Sequence, residues 1–422
     1  MIIKRLFITG YKNLIDCDFS PKRVCAITGC NGSGKSNILE VLPFVVGLIA
    51  GSDEHRQSVL NKGRCPIGLW FPLLIPKGKI TPFRFVLESL LEVNGTMHLV
   101  EYTLEIDPVE IKDGPIYLWE GSRIKSEKIR TKKVGSSGAM KTILIRNAES
   151  TVVVHGGKSL RAKKRFKCKQ DMSALQAFEV READAFKTNF PIFATFLRSF
   201  LATELVRLDA RTFRRLLYNP NREPVPQKLP GMVIDAYDPY PFLCEIRENK
   251  PLWEDFQRWL KRLVDLDSLE LFEPEPESKN AEQTQVKKTQ HIFAKQYGRP
   301  LAAGVLSMGS NVGISYLIIL FALVKNGGAA LFEEPENYLH PKAIVELIEL
   351  FREFSSDHTV IFSTHSPVAL NSMDPDEVCV MTPIGNGFVT IKTVSKIEEA
   401  VSALSRGFVN FGDLLQIDYG RK

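Results

Sequence analysis

The chain has 422 residues, 44% of them hydrophobic, so it can form one large or two medium globular domains. No run of about 18 uncharged apolar residues occurs, and the start MIIKRLFITG lacks the apolar core of a signal peptide. We therefore expect a soluble, cytoplasmic protein with no membrane partner. The seven cysteines form no CxxC pair, which favours reduced thiols over a disulfide framework or a zinc site.

Positive charge is concentrated in one segment. The net charge is only +6, yet residues 123–169 contain fifteen Lys or Arg and two acids. Such a run usually forms a solvated loop or hairpin, and this is the simpler interpretation. The alternative is a docking surface, because DNA or an acidic partner protein would be attracted to this segment first.

The first part of the chain alternates strand and helix patterns. Residues 2–9 and 24–28 are short β-rich apolar runs, and residues 37–50 have apolar residues at helical spacing. Two further apolar runs flank Asn94-Gly95, which predicts an antiparallel hairpin. Residues 111–170 are basic and lack clear periodicity, whereas residues 171–265 contain helical patterns.

The C-terminal part returns to core composition. Helix patterns over 312–325 and 341–354 alternate with buried strands over 328–333 and 359–363, which predicts a parallel sheet. We expect an α/β fold with a mixed sheet and an inserted α-rich arm. The predicted divisions are an N-terminal lobe (1–110), an inserted basic and helical segment (111–300) and a C-terminal lobe (301–422).

A phosphate-binding loop is the most specific motif. The sequence GCNGSGKS from Gly29 to Ser36 matches G-x-x-x-x-G-K-[ST] and lies between a predicted strand and a predicted helix. Its glycines let backbone N–H groups turn towards a phosphate, Lys35 reaches the β- and γ-phosphates of ATP, and the Ser36 hydroxyl ligates Mg²⁺. The residues expected to contact ATP here are Gly29, Asn31, Gly32, Ser33, Gly34, Lys35 and Ser36.

Acidic residues end the predicted strand over 328–333. Glu333 is the candidate Mg²⁺ acid, and Glu334 is the candidate base that orients and deprotonates the attacking water. An acid at the tip of a buried strand stands where open α/β sheets bind ligands. Alone the sequence EEPE fits an ordinary acidic turn equally well, but the phosphate loop upstream favours the catalytic interpretation.

Two more pieces complete the predicted site. His365 follows the buried strand TVIFS, from where its imidazole could contact the γ-phosphate or the attacking water, although a lone histidine at a strand end is more often structural. The turn LSMGS precedes the helix over 312–325, so Ser307, the Gly309 backbone and the helix N-terminus form a second anion-binding turn.

Together these motifs resemble the ABC-type ATPases of the SMC, RecF and OLD group. The segments that carry the resemblance are IKRLFITGYKNL, GCNGSGKSN, LSMGS, EEPENYLHP and STHSP, and they look most like stand-alone OLD-like ATPases that accompany bacterial phage-defence systems. The resemblance implies that Ser307 and Gly309 contact the γ-phosphate bound by another subunit. ATP would therefore join subunits into a head-to-tail homo-oligomer of two or more copies.

The sequence also departs from that group. The signature turn is LSMGS where transporters have LSGGQ, and the family's Q-loop glutamine has no clear match, Gln57 being the available candidate. Lys12 occupies the place of a basic residue common after the first strand and is expected to face a phosphate. OLD nucleases carry a metal-binding Toprim domain after the ATPase, and we expect none here because the acids of DPDE resemble a surface turn.

Three functions follow from this sequence. The first is a slow ATPase switch or sensor that oligomerises through shared ATP sites and controls a separately encoded effector in anti-phage defence. The second is a RecF-like DNA-maintenance ATPase that binds duplex DNA through residues 123–169. The third, a transporter's nucleotide-binding subunit, is disfavoured by the altered signature and the long insertion.

Overall fold

A computed structural model describes residues 1–60, 82–110, 119–155, 163–182, 186–207, 233–234, 239–272, 291–302, 305–385 and 387–405. Its strands form three sheets of eight, seven and three strands. In chain order the strands are β1 (Ile2–Thr9), β2 (Cys17–Phe19), β3 (Val24–Thr28), β4 (Phe83–Val93), β5 (Thr96–Glu110), β6 (Trp119–Lys133), β7 (Lys141–Arg146), β8 (Thr151–His155), β9 (Lys163–Lys167), β10 (Glu204–Val206), β11 (Val233–Ile234), β12 (Ser268–Phe272), β13 (His291–Gln296), β14 (Arg299–Ala302), β15 (Ala330–Glu333), β16 (Val360–Ser363), β17 (Val378–Gly385) and β18 (Phe388–Thr393).

The described helices pack between and outside these sheets. They are α1 (Lys35–Ala50), α2 (Asp53–Leu60), α3 (Ala174–Arg181), α4 (Phe186–Asn189), α5 (Pro191–Leu201), α6 (Pro239–Glu248), α7 (Lys250–Val264), α8 (Met308–Asn326), α9 (Pro341–Phe354), α10 (Pro367–Asn371) and α11 (Glu398–Ser405). Within the described ranges, every helix is too short or too polar to cross a membrane.

The eight-stranded sheet is antiparallel and has the order β2-β1-β4-β5-β6-β7-β8-β9. The predicted hairpin is confirmed, since β4 and β5 pair on either side of Asn94 and Gly95. Both turn residues have positive φ, 49° and 72°, as the tight turns that suit the right-handed strand twist require.

The basic segment forms strands β6–β9, consecutive antiparallel strands that extend this sheet, which agrees with the hairpin form of the simpler interpretation. Its inward face includes a buried carboxylate, Glu127, which accepts hydrogen bonds from the Ser173 hydroxyl at 2.8 Å and from the Ala174 N–H at 2.6 Å. Because Ala174 begins α3, Glu127 satisfies an N–H group that the helix leaves unpaired. These hydrogen bonds therefore hold strand β6 against the N-terminus of α3.

The seven-stranded sheet has the order β11-β10-β15-β16-β3-β17-β18, and its strands are parallel except for the β17–β18 pair. The predicted buried strands and the parallel sheet are thus confirmed. Parallel strands bring their carboxyl ends to one edge, so β3, β15 and β16 deliver the phosphate loop, Glu333 and the His365 turn to the same place.

The seven-stranded sheet separates two hydrophobic cores. On β3 the side chains alternate, so that Cys25 and Ile27 join the core formed with α1, α3, α5 and the first sheet. Val24 and Ala26 point the other way, into the core formed with α7, α8 and α9. A strand buried on both faces has a continuously apolar sequence, which is why VCAIT shows no polar alternation.

Candidate functional site

The phosphate loop has the backbone that its glycines allow. Gly29, Gly32 and Gly34 have φ of 145°, 75° and 86°, a region that side chains other than glycine rarely adopt. A Cβ on Gly34 would also lie 2.8 Å from the Oδ1 atom of Asn13. The loop leads directly into α1, whose N-terminal N–H groups favour an anion at this position.

The Lys35 ammonium group folds back over the loop. It donates hydrogen bonds to the carbonyl oxygens of Gly29 at 3.0 Å and Cys30 at 3.1 Å. Burial lowers the pKa of Lys35 from its ordinary value, and the charge of Glu334 partly opposes that shift. The two carbonyl oxygens carry only partial negative charge, so a phosphate bound in the loop would be a stronger partner for the Lys35 ammonium group.

Ser36 and Glu333, the two predicted Mg²⁺ ligands, lie side by side, and this pair is named the metal corner below. The Ser36 hydroxyl donates a hydrogen bond to Oε1 of Glu333. A hydroxyl and a carboxylate are the oxygen ligands that Mg²⁺ accepts, together with phosphate oxygens and water. The described part of the chain contains no cluster of three or more His, Cys, Asp or Glu side chains suited to a metal.

Glu334 lies next to this corner in a strained conformation, with φ of 46°. Its backbone N–H donates to the carbonyl oxygen of Ser363 at 3.1 Å and to the Ser363 hydroxyl at 3.2 Å. Oε2 of Glu334 accepts a hydrogen bond from Asn337 at 3.1 Å. Bonds to the main chain and the side chain thus fix the direction of the candidate base.

The structure brings His365 towards the same carboxylate. Nε2 of His365 is 3.9 Å from Oε1 of Glu334. Burial lowers the pKa of His365, the neighbouring Lys35 lowers it further, and Glu334 and Glu336 partly oppose both effects. The imidazole is therefore predominantly neutral near pH 7, so one ring nitrogen donates a hydrogen bond and the other accepts one.

Glu336 holds the His365 turn and was missed by sequence reasoning. Its Oε1 atom accepts hydrogen bonds from the Thr364 hydroxyl at 2.6 Å and from the His365 N–H at 2.9 Å. Its Oε2 atom is buried and has no hydrogen-bond partner among the described residues. The sequence signal for Glu336 was the third acid of EEPE, which had no assigned role beside Glu333 and Glu334.

The signature turn lies at the N-terminus of α8, which begins at Met308, four residues earlier than predicted. The Ser307 hydroxyl caps this helix by accepting a hydrogen bond from the Ser310 N–H at 3.1 Å. A Cβ on Gly309 would lie 2.7 Å from the carbonyl oxygen of Tyr338, so only glycine allows this contact without a shift. The signature turn therefore packs against the segment that follows Glu334 in the same chain.

At the border of the site, Lys12 and Arg207 both form ion pairs with Glu40 of α1. Lys12 donates hydrogen bonds to Glu40 and, at 3.2 Å, to Asn37, so its predicted contact with a phosphate stays a prediction. Arg207 donates to both Glu40 and Glu333. Burial alone would raise the pKa of Glu40, but Lys12 and Arg207 outweigh burial and the pKa lies below its ordinary value.

Sequence reasoning missed Arg207 because no motif marks it and strand β10 before it has only three residues. Gln57, the candidate for the missing Q-loop glutamine, belongs to α2, and its side chain lies outside the described residues. The roles of the predicted ATP-contacting residues also stay predictions, although the structure brings the phosphate loop, the acids and His365 together.

Comparison with known proteins supports an ATPase. Residues 191–371 match the family model described as "AAA domain, putative AbiEii toxin, Type IV TA system". This range begins at α5 and contains Arg207, the signature turn, Glu333, Glu334 and His365, and it excludes the phosphate loop. No curated protein matches the chain significantly.

Among the solved structures that match, three SMC heads align with nearly the whole chain. One is an SMC head bound to the C-terminal winged-helix domain of ScpA, with 13% identity, a TM-score of 0.48 and coverage of 95% of this chain and 100% of that chain. The SMC head domain from Thermotoga maritima has 14% identity, a TM-score of 0.43 and coverage of 93% and 99%. An SMC head with an extended coiled coil from Pyrococcus furiosus, bound to the C-terminal domain of ScpA, has 13% identity, a TM-score of 0.42 and coverage of 96% and 98%.

Proposed function

We propose that this chain binds Mg·ATP at the phosphate loop, hydrolyses it slowly, and works as an ABC-type ATPase switch. The observation that carries the proposal is the contact between Ser36 at the start of α1 and Glu333 at the tip of β15, with Glu334 next in the chain. Residues almost three hundred positions apart in sequence meet as an oxygen-ligand pair beside a phosphate-binding turn. The AAA-domain match over 191–371 supports the same assignment.

The chain's own residues supply the hydrolytic groups. Glu334 is held by Ser363 and Asn337 at the edge of the site, where it can take a proton from an attacking water. Neutral His365 is placed to hydrogen-bond that water or the γ-phosphate. Bound Mg²⁺, held by Ser36 and Glu333, would neutralise negative charge on the phosphates.

The binding test uses Lys35, the ammonium group that the loop carbonyls hold in place. Replacement by alanine removes the charge expected to meet the β- and γ-phosphates, so Lys35→Ala should lose ATP affinity while keeping its fold. Isothermal titration with ATP and circular dichroism measure the two effects. Lys342→Ala, an exposed lysine on α9, is the matched control. Equal ATP affinity of Lys35→Ala and wild type would exclude the assigned site.

The signature turn supports assembly through shared ATP sites. Ser307 and the N-terminus of α8 form an exposed anion-binding turn, which a nucleotide bound by another copy could complete. Ser307→Arg should therefore block ATP-dependent oligomers without changing ATP affinity of the monomer. Light scattering with and without ATP measures assembly, and full ATP-driven assembly of this variant would rule out the shared site.

The output is proposed to lie on a second polypeptide in a defence system. The family description matched by residues 191–371 includes a putative toxin of a type IV toxin–antitoxin system, and a toxin of that kind is paired with a second protein. Residues 123–169 and the helices between 174 and 264 are the proposed docking surfaces for an effector. Co-purification of wild type with products of neighbouring genes tests this arrangement, and independent cleavage of nucleic acid or protein by the purified chain would contradict it.

A RecF-like DNA-binding role is the second candidate, favoured by the basic face of β6–β9. Lys128, Ile145, Val153 and Arg165 are direct cross-strand neighbours and so share one face of the sheet. Lys167 is two residues from Arg165 on the same strand and shares this face. The carbonyl oxygen of Glu149 accepts a hydrogen bond from Lys167 at 2.9 Å, and the Arg165 side chain is exposed.

The DNA test replaces two positive charges on that face, exposed Arg165 and half-buried Lys128. Arg165→Glu combined with Lys128→Glu should weaken duplex DNA binding and reduce the dependence of affinity on salt concentration, since fewer counterions are released. ATPase turnover should stay at the wild-type level, because the face is on a different sheet from the phosphate loop. DNA affinity and salt slope equal to those of wild type would remove this face from the second candidate function.

A further inference from the structure

Arg207 occupies a defined position beside the metal corner. Strand β10 pairs in parallel with β15 so that Val206 is opposite Phe332. Arg207 follows Val206 directly after β10 ends, Glu333 follows Phe332 on β15, and both stand at the carboxyl edge where the phosphate loop lies. The sheet register alone therefore brings a guanidinium group to the predicted metal acid.

The guanidinium group bridges two carboxylates. Its Nε donates to Oε2 of Glu333, and a terminal nitrogen donates to Oε1 of Glu40 on α1. These groups are partly buried, with 35% of the Arg207 side chain exposed and about a fifth of each carboxylate. Partial burial makes such charge-assisted bonds stronger than ion pairs at a fully exposed surface.

The Arg207 bridge occupies the Glu333 carboxylate, which is the predicted Mg²⁺ ligand. Oε1 of Glu333 accepts a hydrogen bond from the Ser36 hydroxyl, and Oε2 accepts one from Arg207. A divalent cation at this corner must compete with a positive charge already bound to the carboxylate. Binding of Mg²⁺ gains oxygen ligands, but it is opposed by Coulomb repulsion from the guanidinium group and by the loss of the hydrogen bond between Arg207 and Glu333.

We propose that Arg207 is a positioning residue of the metal corner, which holds Glu333 in the ATP-free protein and sets the Mg²⁺ concentration that ATP binding requires. This inference rests on the proposed ATP site. Loading with Mg·ATP exchanges the Arg207 bond on Glu333 for a metal interaction, while Glu40 keeps the guanidinium group near its place. Arg207 acts on the metal through Glu333 and is not assigned a contact with the nucleotide.

The test measures ATP affinity across a Mg²⁺ series and in EDTA. Arg207→Gln removes the competing charge and keeps a polar side chain, so the Mg²⁺ concentration for half-maximal ATP binding should fall by about three- to tenfold. Affinity in EDTA should not decrease. Arg258→Gln, which breaks a 2.8 Å pair with Glu353 on the helical side, is the matched control and should equal wild type.

A second variant predicts the opposite sign. Glu40→Gln removes one of the two carboxylates that hold Arg207, so the guanidinium group binds Glu333 alone and the Mg²⁺ requirement should rise. Dividing each affinity by its EDTA value corrects for the released Lys12 charge. An unchanged or higher Mg²⁺ requirement in Arg207→Gln, or a lower one in Glu40→Gln, overturns the proposal.

Failure of this inference is distinguishable from failure of the ATP site. Weaker ATP binding by Arg207→Gln in EDTA would show that the guanidinium group contacts the nucleotide, which contradicts a role through Glu333. Wild-type protein that binds no ATP at any Mg²⁺ concentration would instead remove the proposed function.

Discussion

Glu336 is predicted to control hydrolysis through the His365 turn. Its Oε1 atom accepts hydrogen bonds from the Thr364 hydroxyl and the His365 N–H, at 2.6 and 2.9 Å. Glu336→Gln keeps an acceptor at that atom and removes the charge. A hydrogen bond to a charged group contributes about 1.5–3 kcal/mol, against about 0.5–1.5 kcal/mol for a neutral one, so two bonds weaken by roughly 2–3 kcal/mol together.

The expected result of Glu336→Gln is a loss of turnover with ATP affinity retained, because the turn that holds His365 becomes less ordered. Removal of the Glu336 charge should also lower the pKa of His365 further, since that charge opposes the effects of burial and Lys35. Phosphate release and NMR titration of His365 measure the two effects. Glu377→Gln, which removes the charge of a carboxylate that accepts a hydrogen bond from Arg352 at 2.9 Å outside the site, is the control. Wild-type turnover together with an unchanged His365 titration would refute the role of Glu336.

Two further predictions concern the loop backbone and pH. Gly34→Ala should lower the free energy of unfolding by about 1–2 kcal/mol through its left-handed conformation. It should lower it further through the 2.8 Å approach to Asn13, whereas Gly32→Ala, with open space around its Cβ, isolates the conformational cost in denaturant titrations. If hydrolysis needs neutral His365, turnover should stay constant as pH falls through 6.5 and decrease only below it, because the pKa of His365 is lowered from 6.5. A decrease centred at or above pH 6.5 in a pH–rate profile would contradict the assigned state.

The sequence predicted the structure best where a motif requires one backbone conformation. The loop glycines stand at positive φ, and the apolar strand before the loop is buried on both faces, so pattern and structure agree at Gly29, Gly32 and Gly34. The parallel pairing of β15 with β16 followed from alternating buried strands and helices, whereas the position of β3 beside β16 did not. The motifs therefore predicted that Glu333 and His365 follow neighbouring strands at one edge of the sheet.

Other features could not be obtained from local patterns. Strand β6 was missed because its inward face contains Glu127 and Thr131 as well as Ile124 and Ile129, so polar residues interrupt the apolar alternation. Arg207 depends on the register of a three-residue strand against β15. Such long-range pairing leaves no periodic signal, and charge partners of this kind appear only when the strands are placed side by side.

The most direct test of the central claim is the turnover of Glu334→Gln, measured as phosphate release with saturating Mg·ATP. If Glu334 is the base, this variant should lose about 10²–10⁴-fold in turnover while still binding Mg·ATP, and it should accumulate the ATP-linked oligomer. Asn337→Ala, which removes only the hydrogen bond that orients Glu334, should show a smaller loss. Turnover of Glu334→Gln close to that of wild type would contradict the proposed ATPase site.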